Sequence, residues 1–153
     1  HVARKIDQWG PDAVFIDSGA GAGVIDRLRQ LGYDVTEVNF GGKPNDIRYV
    51  NKRAEMWFDL AEWIKAGGAI PNDTSLKLEL ATPTYKYDAA NRIQLESKDD
   101  IKKRLPDAGS PDLADALALT FAHPVAKRSL MQQFGARTSK TQNYDPYEML
   151  NRG

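Results

Sequence analysis

A chain of 153 residues, 41% of them hydrophobic and 27% charged, has the apolar mass for one domain with a tail and too little for two. Its 21 lysines and arginines balance 21 aspartates and glutamates, so overall charge marks neither a nucleic-acid binder nor its opposite, and only local clusters can speak to that. The absence of cysteine excludes disulfides, thiolate zinc sites and cysteine nucleophiles and fits a reducing compartment, and no apolar stretch approaches the roughly 18 to 20 residues that cross a bilayer, so no membrane partner and a cytoplasmic location are expected.

Residues 2–9 read as the end of a helix stopped by Gly10-Pro11. This opening resembles the middle of an α/β unit, so a fragment of a longer polypeptide is expected. Residues 13–16 form a continuous apolar strand of the kind buried on both faces. The helix that follows carries Val24, Ile25, Leu28 and Leu31 as an inward stripe and is ended by Gly32, and residues 35–40 form a second strand. Strand, helix, strand predicts a parallel sheet with a right-handed crossover. The longest helix is expected over 46–66, its face built from Val50, Ala54, Met56, Trp57, Leu60, Ala61, Trp63 and Ile64, and its large aromatics are read as core packing.

A shorter helix follows at 75–81, with Asp73 or Thr74 as its cap, and "YKYDAANRIQLE" reads as a hairpin turning around 88–91. Ser97 caps the helix "KDDIKKRL". The last ordered helix is expected to start with Ser110 as N-cap and Pro111 at its first position, continue through "DLADALALTFA" and stop at Pro124. From Ala126 the sequence is polar and aperiodic, which predicts a core domain over 1–125 and a flexible tail over 126–153.

The segment "VFIDSGAGAGVIDRL", an apolar run ending in Asp17 and passing through glycines into a helix, allows two readings. As a nucleotide site it resembles the first motif of S-adenosylmethionine-dependent methyltransferases, where glycines admit a cofactor to the backbone. Asn39 then stands where an acid would meet the ribose, and Val24 breaks the dinucleotide fingerprint. A P-loop fails because Gly42-Lys43 is followed by Pro44. In the other reading Asp17 ligates a metal ion and needs a partner acid. "SPDLADALALTFA" supplies Asp112 and Asp115, three apart and on one helix face. Asp112 also reads as a favourable first-turn charge, whereas Asp115, embedded among alanines and leucines, is costly to bury without a cation or donors.

Taken in order, "VFIDSGAGAGVIDRLRQLG", "NKRAEMWFDLAEWIKAGGAI", "IQLESKDDIKKR" and "SPDLADALALTFA" resemble the nuclease domain of tailed-phage terminase large subunits, over about residues 1–125. The resemblance implies an α/β ribonuclease H-like fold, a mixed sheet flanked by helices, and cleavage of concatemeric double-stranded DNA by carboxylates holding two Mg2+ or Mn2+ ions. It implies that Asp17 and Asp115 are the second and third acids of that cluster, with Asp112 adjacent and in reach through water. The family's first acid lies on an upstream strand, and neither Asp7 nor Asp12 replaces it, so an N-terminally truncated domain is expected. The implied partners are DNA, the terminase small subunit and the portal, in the bacterial host cytoplasm. Lys98, Lys102, Lys103 and Arg104, with Lys52 and Arg53 on the long helix, are the candidate phosphate contacts. Two other classes stay open: a methyltransferase-like domain, and a catalytically inactive packaging or interaction module, which an oligomer in solution would favour.

Overall fold

The computed structural model describes residues 1–127. The expected tail from Ala126 lies, past Lys127, outside the described residues. In chain order the elements are α1 (Val2–Trp9), β1 (Phe15–Asp17), α2 (Ser18–Gln30), β2 (Thr36–Val38), α3 (Lys52–Lys65), α4 (Thr74–Ala81), β3 (Tyr85–Tyr87), β4 (Ile93–Leu95), α5 (Lys98–Arg104) and α6 (Asp112–Leu119). β1 and β2 pair in parallel, with Asp17 opposite Val38, and β3 and β4 form an antiparallel hairpin. Parallel and antiparallel pairing are therefore both present, in two separate pairs. A single parallel bridge from Tyr49 to Ile93 ties the hairpin to the segment before α3.

Two apolar clusters lie on opposite faces of β1. Strand residues alternate between faces. Phe15 joins the larger cluster of Val38, Met56, Trp57, Leu60, Leu76, Ala114, Ala118 and Ala122, contributed mainly by α3, α4 and α6. Val14 and Ile16 join the smaller one of Ile25, Leu28 and Val35, to which α1 adds Ala3 and Ile6. By the same alternation Asp17 shares the face of Phe15, the side of α3 and α6. β1 is half-buried along its length, because β2 is its strand neighbour on one edge only.

Most expected elements are present, α1 with its expected bounds, and two differ most from expectation, α3 at its start and α6 at both ends. α3 starts at Lys52, not at 46. Asp46 instead accepts from the Arg48 backbone N–H at 2.9 Å, an Asx-type turn, while Val50 donates to the Ile93 carbonyl. Asn51 then begins the helix by accepting from Ala54 N–H at 2.9 Å. Replacing Asn51 by alanine is expected to cost about 1 kcal/mol, read as a lower midpoint in urea with an unchanged slope. α6 is capped by Pro111, which has no capping side chain, and it ends at Leu119, with Thr120 Oγ1 bonded back to the Leu117 carbonyl. α1 has no buried residue and ends at Gly10 in the left-handed region (φ 53°), the conformation glycine adopts without penalty.

Candidate functional site

The helix carrying Asp115 packs against the strand that ends in Asp17, since α6 contacts β1, α3 and α4. Asp17 ends the strand and caps α2, its Oδ1 accepting from Gly19 N–H at 3.0 Å. Asp115 lies one helical turn into α6 and is almost fully buried, with 5% of its side chain exposed. Its Oδ1 accepts from Arg53 Nε at 2.9 Å and from the Trp57 indole Nε1 at 2.8 Å. Arg53 and Trp57 are four apart on α3, so both donors leave the same helix face. The guanidinium of Arg53 lies over the Trp57 ring and its Nη1 donates to the Glu96 carbonyl at 2.9 Å.

The second oxygen of Asp115 is different. Oδ2 lies 3.0 Å from the Lys98 ammonium as an ion pair, but it takes no well-formed hydrogen bond among the described residues, and neither does the buried Arg53 Nη2. Lys98 also donates to Asp112 Oδ1 at 2.9 Å, so one ammonium bridges both acids of α6. Asp112 is otherwise solvent-facing, with 73% of its side chain exposed, and also accepts from Ser110 Oγ at 2.7 Å. The Lys98 bond, and then the Ser110 bond, hold the Asp112 carboxyl below the usual aspartate range. Burial works against the charge of Lys98, but its hydrogen bond to Asp112 and its ion pair with Asp115 outweigh that and hold the ammonium above its ordinary value.

The other candidate cations face different ways. Lys52 is buried, 2.5 Å from Glu55, and Arg53 is committed to Asp115 and Glu96; neither is presented to solvent. Arg104 holds Glu96 at 2.6 Å and the Thr82 carbonyl at 2.8 Å, tying α5 to the hairpin and to the end of α4. That guanidinium, with the Thr84 donors, pulls the Glu96 carboxyl down to about 2. Lys103 makes a loose exposed pair with Asp100 at 3.5 Å, and Lys102 is exposed. Asn39, at the position where a methyltransferase-like site wants an acid, caps its own loop by accepting from Gly41 N–H at 2.9 Å. Sequence reasoning read Trp57 as core packing alone and missed its bond to Asp115. The i, i+4 spacing of Arg53 and Trp57 was the available signal, but nothing in a linear pattern says which acid such a face meets.

A divalent metal fits these donors in kind. Carboxylate oxygens suit a hard cation, and Asp115 Oδ2 is a buried lone-pair donor without a hydrogen bond. The number falls short, because among the described residues no group of three or more metal-ligating side chains forms.

The arrangement of helices around the β1–β2 pair and the β3–β4 hairpin matches the fold of solved terminase nuclease domains. The structure is similar to the nuclease domain of the large terminase subunit gp2 of bacterial virus Sf6, with a TM-score of 0.62 and 22% identity over 80% of this chain and 70% of that one. It is likewise similar to a lysine-to-alanine mutant of that domain with manganese, with a TM-score of 0.62 and 22% identity over 79% and 70% of the two chains. A mutant of the same domain with calcium gives a TM-score of 0.61 and 20% identity over 79% and 69%. No family model and no curated protein matches the sequence. No helix among the described residues is long and apolar enough to cross a membrane.

Proposed function

We propose that this domain is the metal-dependent endonuclease portion of a phage or prophage terminase large subunit, hydrolysing phosphodiester bonds of double-stranded DNA during genome packaging in the bacterial host cytoplasm. The observation that carries the proposal is the packing of α6, which holds Asp115, against β1, the strand that ends in Asp17. The similarity to solved nuclease domains of a large terminase subunit, and the manganese and calcium in two of the similar structures, support the same reading. Asp17 and Asp115 would hold Mg2+ or Mn2+, with Asp112 beside them. Bound metal ions in such sites activate water and stabilise the leaving oxygen.

The chain's own residues have separate tasks. Arg53 and Trp57 orient Asp115 so that Oδ2 is the oxygen left for a cation, and Lys98 neutralises the acids when no metal does. Lys102 and Lys103 are exposed cations of the predicted set that lie outside the bonded networks engaging Lys98 and Arg104. An exposed pair such as Lys103 with Asp100 is worth little and is readily exchanged for a phosphate. DNA, the terminase small subunit and the portal are the partners this reading calls for.

Calorimetric titration of Mn2+ tests it: the chain takes up metal and Asp17→Asn weakens uptake at least tenfold. Equal heats from both proteins would remove Asp17 from the site. The small number of carboxylates favours one other reading, a catalytically inactive packaging or interaction module. It predicts no metal uptake by either protein and an oligomer by sedimentation.

A further inference from the structure

The first turn of α6 is capped mainly from another helix. The four backbone N–H groups that open a helix have no partner within it and need acceptors from elsewhere. Here Pro111 has no N–H, Asp112 N–H donates to the Ser110 carbonyl at 2.8 Å, and Asp115 N–H already makes the first intrahelical bond, to the Pro111 carbonyl at 2.8 Å. The two between them, Leu113 and Ala114, both donate to Glu79 Oε2, at 2.7 and 3.0 Å. Glu79 lies on α4, more than thirty residues upstream, so a carboxylate from a neighbouring helix replaces the side chain that Pro111 lacks.

This acceptor is rigidly mounted. α4 is itself capped by Asp73, which accepts from Leu76 N–H at 2.9 Å, and Leu76 and Leu80 pack in the cluster that contains Ala114 and Ala118. The turn it fixes is the one that aims Asp112 and Asp115. It also places a negative charge at the N-terminus of α6, where the helix dipole favours anions.

We infer that Glu79 is a positioning residue for the acidic site, setting the start of α6 so that Asp115 meets the Trp57 indole and turns Oδ2 toward a cation. The metal arm of this inference rests on the proposed nuclease reading; the positional arm does not. Two substitutions separate reach from charge. Glu79→Asp keeps the charge but withdraws the acceptor by one methylene, and Glu79→Gln keeps the reach but drops the charge.

The readouts are the Trp57 indole N–H resonance, distinguishable among three tryptophans by its bond to a carboxylate, and Mn2+ affinity by calorimetry, both on the full chain. In Glu79→Asp the indole resonance moves and Mn2+ affinity falls about tenfold, the scale of losing a group that orients a ligand. In Glu79→Gln the resonance stays and affinity falls about threefold, the scale of one charge at a helix terminus. An unmoved resonance and wild-type affinity in Glu79→Asp, with only a lower melting temperature, would reduce Glu79 to a stability cap and overturn the inference. If the wild-type chain takes up no Mn2+, the nuclease reading fails, while the indole arm still decides the role of Glu79.

Discussion

Asp115→Ala is expected to cost about 3 to 5 kcal/mol of unfolding free energy, the cost of removing one partner from a buried ion pair. The reason lies in what would be left behind. Arg53 is nearly enclosed, Nη2 already lacks a hydrogen-bond partner among the described residues, and Nε would lose its acceptor together with the compensating charge. The Trp57 indole would become a second buried donor without an acceptor. Asp115→Asn keeps an oxygen for both donors and should cost less than half as much, although it too removes the charge a metal needs. Urea denaturation measures the stability difference and Mn2+ titration the second effect. An alanine variant within about 1 kcal/mol of wild type would mean that Arg53 relaxes into solvent and that the pair contributes little.

Lys98→Ala is expected to raise Mn2+ affinity about tenfold, because one ammonium now sits where both acids of α6 would meet a dication. The stability cost is small, about 1 kcal/mol, since 41% of the lysine side chain is exposed and screened by solvent. The pH dependence has a definite sign. The Lys98 pKa is raised in the folded state, so its stabilising pairs are fully present below the ordinary lysine value and are lost only as pH rises through the higher folded one. Competition with metal therefore persists across neutral and mildly alkaline pH. Wild-type affinity should not climb between pH 7 and 9 from loss of this charge, whereas the alanine variant shows the gain at either pH. Weaker metal binding in Lys98→Ala would show that the lysine supports the site rather than competes for it.

The parts of this fold that are legible in the sequence are those specified locally. Gly10 ends α1, Asp73 and Ser97 cap α4 and α5, and the polar turn after Tyr87 closes the hairpin, because each feature is decided within a few residues. The start of α3 was misplaced because apolar periodicity continues through Val50, while the backbone there is claimed by a bridge to Ile93, a contact no local pattern encodes. The same limit applies to the site. Asp115 stands out as an acid among alanines, but its donors Arg53 and Trp57 are some sixty residues upstream and Lys98 is on another helix. Glu79 carries no local signal in the sequence. Only the packing of α4 on α6 gives it a role.

The two apolar clusters flanking β1 are unequal, and this bears on how metal uptake and dynamics are linked. The layer of α1 and α2 is held by three buried residues, a few half-buried ones and the Tyr33 hydroxyl on Asp7, so it should open as a subglobal unit at lower free energy than the α3–α6 layer. Asp17 caps a helix of the weaker layer, whereas Asp115 is anchored in the stronger one. A cation shared between them would act as a clasp across the sheet, and amide hydrogen exchange should slow in α2 far more than in α6 when manganese is added.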